Sequence, residues 1–434
     1  TPHVRQTRKQ KVGALTTLTV VGGSIVMNGT AVQALSPVVT TLDDNVTAGD
    51  GETTLREALY AVDGESGSHT ITFAPELSGV IDLNRPIFVA AGTTTVQGPG
   101  SDQITLRNSS GDVLYLYGGA SNRTFSGLTI DSTGRGIDAE EAGTLVLDDI
   151  VLSNNGDTGV YMKNARVTIR NSVITGSTNA GIDFRATSNS SDLDSLTLEN
   201  VTISNNGGAG IDADDADRIS VTDSSIADNG GAGIVAANSV RVDVTDSTIS
   251  GHRNGPGIEF LIAANNNYPV GRLDVTRSTI SGNTGTGVGA INTYRVNSTL
   301  ENATLSGNTG DSVVVVKAGD IAVEHSTISG NTGNGSAISL VGSANDLTVD
   351  HSIISDNGAM GTVALDPGSG PQRANWSLLG TDVTNEFDDP ASGDNVATDA
   401  PGLDALASIG GPTQTMLPGD HSAALDGGDV AISG

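Results

Sequence analysis

Ile130, Leu152, Ile174, Ile203, Ile226, Ile249, Ile280, Leu305, Ile328 and Ile354 each precede a Ser/Asn/Gly-rich turn, and they recur at intervals of 22 to 31 residues. Around two of them the copy is literal: "STISGNTG" runs from Ser278 to Gly285 and again from Ser326 to Gly333. This repeat constrains the fold more than any other feature. A unit so small cannot bury its own apolar face, so ten copies must stack on one another.

Within a unit the pattern alternates with period two, as in "RISVTDSSIADNGGAGIVA" from Arg218, where Ile219, Val221, Ile226, Ile234 and Ala236 point one way. Runs of three to five residues, rich in Val, Ile and Thr and separated by Gly, Asn and Asp, read as three short strands per unit joined by tight turns. At about 4.8 Å per layer, ten such units make a stack roughly 50 Å long. A propeller blade needs a longer repeat, and a leucine-rich repeat needs a fixed leucine frame that is missing here. The expected fold is all-β: a right-handed parallel β-helix, a solenoid of about ten or more coils. Composition agrees, since 3% aromatics against 57 glycines is too poor in large side chains for an ordinary globular core.

Two flanking segments extend the reading. Thr54-Leu55-Arg56-Glu57 is a capping box that opens a short amphipathic helix, suited to covering the first coil. Residues 1–34 read as a signal peptide. Arg5, Arg8, Lys9 and Lys11 precede a moderately apolar run, and Val32-Gln33-Ala34 offers a small-residue cleavage site, so the mature chain is expected to start near Leu35 with no membrane span. The expected organisation is a signal peptide at 1–34, a cap at 35–70, the β-helix at 71–367, and an incomplete C-terminal segment at 368–434.

The repeats from residue 71 to 367 resemble the pectin-lyase-like parallel β-helix superfamily. "TTLREALYAV" from Thr53 is similar to the CSLREA motif that heads many secreted bacterial β-helix proteins, with Thr53 in place of the usual cysteine. "GLDALASIGGPTQTMLPGDHSAALDGGD" from Gly402 resembles a choice-of-anchor segment. The resemblance implies a secreted or cell-surface protein.

A net charge of -29 with only four lysines (Lys9, Lys11, Lys163 and Lys317) argues against nucleic acid as a partner. The chain has no cysteine, so no disulfide can staple it.

Three residues after the aligned apolar position stands an asparagine in seven units: Asn155, Asn206, Asn229, Asn283, Asn308, Asn331 and Asn357. Stacked amides can bond one another along the axis, which predicts an asparagine ladder. His252 takes that place in its own unit. Its "GHRNG" resembles the Gly-His-Gly of polygalacturonase-like hydrolases, but the nearby Asp214 and Asp215 fall at a different phase of the repeat. His252 therefore reads as a substituted rung.

The strand that starts with Gly-Ile or Gly-Val is the better place to look for chemistry. If its second residue points inward, the third and fifth point out and form two columns. One is Asp138, Tyr161, Asp183, Asp212, Val235 and Glu259, and the other is Glu140, Lys163, Arg185, Asp214, Ala237 and Leu261. Two readings stay open. As in polysaccharide lyases on this fold, Lys163 or Arg185 would be the base and Tyr161 the proton donor, with Asp183 and Asp212 as calcium ligands and Asp138, Glu259 and Tyr268 contacting substrate. Alternatively, Glu140 over Lys163 and Arg185 over Asp214 form a charge ladder that only satisfies the exposed face. Asp43, Asp44, Asp50 and Glu52, and likewise Asp388, Asp389, Asp394 and Asp399, read as solvated loops.

The functional expectation is a secreted or surface β-helix protein for adhesion or glycan binding. The alternative is a polysaccharide lyase or glycoside hydrolase acting on an extracellular polysaccharide, uronates included. A longer unit bringing Asn265 to Asn267 and Tyr268 to one side favours that alternative. A passive stalk is a third reading. No cofactor is required, calcium is the ion the carboxylates would accept, and the partners are extracellular polysaccharides or cell-surface glycans.

Overall fold

The computed structural model describes residues 35–425 apart from 48, 64, 66, 91, 120, 188–193, 265–267, 343–344, 367–368, 384–386 and 388–393. The expected signal peptide, the triplet Asn265 to Asn267, and Asp388 and Asp389 lie outside the described residues.

The described chain is nearly all β and winds into a parallel solenoid of about 12 turns. One coil shows the plan. Ile211–Asp214 lies on a first face (A), Arg218–Thr222 on a second (B) and Ser225–Ala227 on a third (C). Each pairs in parallel with the equivalent strand one coil on, Ile234–Ala237, Arg241–Thr245 and Thr248–Ser250. All ten aligned apolar positions from Ile130 to Ile354 are register partners on face C. The column also continues to Leu106 and Ile81 at one end and to Leu379 at the other. Parallel pairing runs from Val38–Val39 to Val396–Ala397.

The corners explain the abundance of Asn, Asp and Gly. In the coil above, Asp215, Asp223 and Asp228 turn the chain with φ of 62°, 50° and 54°, a region these short polar side chains tolerate. Glycine before the face A strand has a different cause, namely close approach. A Cβ on Gly210 would stand 2.5 Å from Ile226 Cγ2 and 2.7 Å from the Gly233 carbonyl oxygen.

Two polar ladders run inside the corners. Asn206 donates its backbone N–H and its Nδ2 to Asn229 Oδ1 at 3.0 and 2.9 Å, and Asn283, Asn308 and Asn331 repeat the pair of bonds to the next rung. The second ladder is of serine. The N–H of Ser224 donates to Ser247 Oγ at 3.0 Å, that of Ser247 to Ser278 Oγ at 3.1 Å, and that of Ser326 to Ser352 Oγ at 3.0 Å. These groups are buried, and each would cost roughly 1–3 kcal/mol if left unpaired.

The interior is filled by columns of Ile, Val and Leu, with size alternating where a ring enters. Phe184 stacks in register on Ala213, and Phe260 on Ala236. A large ring over a small methyl keeps the core dense without lengthening the coil.

At the first coil, helix α1 (Leu55–Val62) buries Leu55, Ala58, Leu59 and Val62. Its capping box is formed: Glu57 N–H donates to Thr54 Oγ1 and Thr54 N–H to Glu57 Oε2, both at 3.1 Å. Arg56 is buried as well. It meets Asp44 through Nε and Nη2 at 2.8 and 2.9 Å and donates to the carbonyls of Arg85 and Pro86. Burial works to lower the Arg56 pKa, but the bonds and charge of Asp44 outweigh it and the pKa is raised.

Toward the other end, residues 403–418 fold back on themselves through antiparallel bridges Leu403↔Pro418 and Ala407↔Thr415. This segment lies against face C. Thr279 Oγ1 donates to the Gln414 carbonyl at 2.5 Å, and Thr413 Oγ1 to that of Arg277 at 3.1 Å.

Candidate functional site

Face A carries the columns in which chemistry was expected. Pairing puts Phe88, Tyr115, Asp138, Tyr161, Asp183, Asp212, Val235, Glu259 and Asn292 in one line, one residue per coil. Glu140, Lys163, Arg185, Asp214, Ala237, Leu261, Tyr294 and Lys317 form the second line. The strand period places both lines outside, because Ile182 and Phe184, or Ile211 and Ala213, fill the interior between them.

The charges pair differently from the simple ladder. Arg185 is held between Asp183, 2.5 Å from its Nε, and Asp212, 2.8 Å from its Nη2. Burial works against its charge, yet those two carboxylates outweigh it and raise its pKa. The guanidinium meets the negative charge that Asp183 and Asp212 would offer a calcium ion. Among the described residues no group of three or more His, Asp or Glu gathers to hold a metal. Glu140 accepts from the Tyr115 hydroxyl at 3.2 Å instead of pairing with Lys163. Among the described residues Lys163 makes no ion pair.

Arg135, at the corner that leads into face A, organises the region one coil away. It donates to Asp138 Oδ2 at 2.7 Å, lies 3.4 Å from Asp157, and stacks over the Tyr161 ring at 3.9 Å, a cation on an aromatic face. Asp138 is only 4% exposed, and its Oδ1 has no hydrogen-bond partner. Burial raises its pKa against the opposing pull of Arg135, with Glu140 and Asp112 adding to the rise. Burial likewise raises Asp183, with Arg185 opposing and Asp212 reinforcing, and it raises Tyr161.

Glu259 accepts from Asn292 Nδ2 at 3.0 Å. Tyr268 stands apart from both columns: its side chain hydrogen bonds to Asp215 at the corner after face A and packs partly against the core. His252 is completely buried in the asparagine ladder. Burial drives its pKa down to about 4, against the opposing backbone hydrogen bonds of Ile226 and Asn229.

Sequence reasoning missed Phe88, Tyr115, Tyr117, Arg135 and Tyr294. Phe88 and Tyr115 extend the first column before the Gly-Ile motif becomes recognisable, with ring centroids 5.4 Å apart. Tyr117 lies 5.7 Å from Tyr115. Four of the chain's six tyrosines, at 115, 117, 161 and 294, are therefore on or beside one face.

A family model described as "Right handed beta helix region" matches residues 112–272 and 260–375, more than half of the 434-residue chain. The chain belongs to this right-handed β-helix family. Among solved structures, this β-helix is similar to the A-module of mannuronan C-5 epimerase AlgE4 from Azotobacter vinelandii, with 12% identity over 72% of this chain and 92% of that one and a TM-score of 0.43. It is also similar to the catalytic domain of a GH87 α-1,3-glucanase in complex with nigerose, with 13% identity over 86% of this chain and 69% of that one and a TM-score of 0.49. A search of curated proteins returned no match. No helix among the described residues of this β-helix is long and apolar enough to cross a membrane.

Proposed function

We propose that this β-helix is a secreted or surface-displayed protein that binds a glycan along face A. The observation that carries the reading is the line Phe88, Tyr115, Asp138, Tyr161, Asp183, Asp212, in which aromatic rings and carboxylates share one outward strip. Sugars present apolar C–H faces and a rim of hydroxyls. Tyrosine rings accept the first by stacking, and carboxylates accept hydrogen bonds from the second. Coils repeat at about 4.8 Å, so an elongated chain laid along the axis meets a fresh side chain at each step. The basic and apolar run of residues 1–34 supports export.

The test is affinity electrophoresis of the chain against a polysaccharide panel, with Tyr115→Ala/Tyr161→Ala as comparison. A retarded wild type and a loss of at least tenfold in the variant, at unchanged melting temperature, are expected. A panel without any binder, or a variant that binds as well as wild type, would overturn the reading.

Asp138 favours a second reading, glycoside hydrolysis. Its desolvated carboxyl has the raised pKa that a general acid needs. Asp183 lies two strands further along, so the backbones are separated by roughly 9–10 Å, beside the range of about 6.5–9.5 Å that separates the carboxyls of inverting enzymes. Asp138→Asn should then bind glycan but release no reducing ends. Unsaturated products would instead indicate elimination, with Lys163 as the base and Tyr161 as the donor.

A further inference from the structure

Hydrogen-bond satisfaction along face A is one-sided. Asp138 Oδ1 and Asn292 Oδ1 are buried acceptors without a hydrogen-bond donor, and both belong to the same outward column. Asp183 Oδ1, between them in the column, is already met by Arg185 Nε at 2.5 Å. Among the described residues, no donor of either face A column is stranded in the same way. The arginines that could donate outward are already spent: Arg135 on Asp138 and Asp157, and Arg185 on Asp183 and Asp212.

We infer that the glycan taken by face A is free of acid groups and binds by donating hydroxyl or amine hydrogens into this column. The inference rests on the glycan reading above and narrows it to a chemical class. A carboxylate or sulfate group only accepts hydrogen bonds, so it cannot satisfy an orphaned carboxylate oxygen. It would also meet Asp183, Asp212, Asp214, Glu140 and Glu259, a repulsive field inside one Debye length. Across that stretch of the two columns, among the described residues, Lys163 is the one cation not already in an ion pair. A hydroxyl can donate to Asp138 Oδ1, and a protonated amine can do so with charge assistance. Asp138 is the informative atom because it is more than nine-tenths buried beside Tyr161 and Arg135, where an acceptor is costly to leave empty.

Three oligosaccharide probes of equal length test this with the full chain at pH 7 and low salt: a neutral glucan, an amino-sugar oligomer and an oligogalacturonate. The neutral or amine-bearing probe should bind at least tenfold more tightly than the uronate, and added salt should weaken only the amine-bearing one. Glu140→Gln/Asp214→Asn, which removes two charges from the outer column and no core contact, should narrow the gap by raising uronate affinity. Equal or tighter binding of the uronate by wild type overturns the inference while leaving glycan binding intact. Binding of none of the three overturns both.

Discussion

Asn229 donates its backbone N–H to His252 Nδ1 at 3.3 Å, the bond that Asn206 makes to Asn229 Oδ1 at 3.0 Å one coil earlier. His252 returns the pattern by donating its own N–H to Asn283 Oδ1 at 3.1 Å. The ring must be neutral with Nδ1 unprotonated for this to hold. Its folded pKa of about 4 lies below the usual value of 6.5, so protons favour the unfolded chain. Stability should be fully present above pH 6.5 and fall as the pH drops toward 4, by on the order of 3 kcal/mol from this group. Urea midpoints at pH 7 and pH 4.5 measure the slope. His252→Asn, which restores an amide rung, should remove most of it.

Asn308 sits mid-ladder, accepting from Asn283 N and Nδ2 and donating to Asn331 Oδ1. Asn308→Ala strands the buried backbone N–H of Asn283 and takes the Nδ2 donor away from Asn331 Oδ1 and the Ile280 carbonyl, at about 3 kcal/mol. Because coils contact only their neighbours, the loss should be local. Amide exchange should quicken around Asn283 and Asn331 and stay unchanged near Asn206. Uniform quickening would argue against nearest-neighbour coupling.

Much of this architecture was legible in the primary structure, for a physical reason. Pairing in a solenoid is between equivalent residues one coil apart, so the period of Ile130 to Ile354 is itself the register. Ile81 and Leu379 escaped because the turns after them lack the Ser/Asn/Gly signature, and Leu106 escaped although "RNSSG" follows it, because its asparagine, Asn108, comes two residues on and not three. The serine ladder was visible as the Ser of "STIS" two residues before each Ile, yet a hydroxyl in a turn-rich sequence looks like any other. Side-chain direction was not legible. Arg185 was placed over Asp214 by its column, but its long stem lets it turn to Asp183 and Asp212. Arg135 reaches Tyr161 from a corner that no strand alternation describes.

Asp44 and Arg56 are each about 1% exposed in their side chains, and their bidentate contact fixes α1 to the first coil. Sequence alone assigned Asp44 to a solvated loop, since nothing local shows what folds over it. Asp44→Ala leaves the guanidinium buried without its counter-charge and should cost about 3–5 kcal/mol. Asp44→Ala/Arg56→Met, which removes both charges, should recover most of the loss. Thermal unfolding of the single and double variants decides this, and an additive pair would mean that the two residues do not act together.

The segment 403–418 is held to face C largely by threonine hydroxyls. Thr279 bonds the Gln414 carbonyl, Thr304 and Thr415 oxygens lie 3.4 Å apart, and Thr413 bonds the Arg277 carbonyl. None of its own residues is buried, whereas Thr279 and Thr304 beneath it are. Such a segment can open without unfolding the stack, because the parallel ladders below it do not depend on it. Thr279→Val keeps the side-chain shape and removes one donor, a change of about 1 kcal/mol. That free energy corresponds to a roughly fivefold rise in the open population. Limited proteolysis should then cut within 403–418 several times faster, while the urea midpoint of the coils stays within error of wild type. A matching fall in that midpoint would show instead that the segment and the solenoid unfold as one unit.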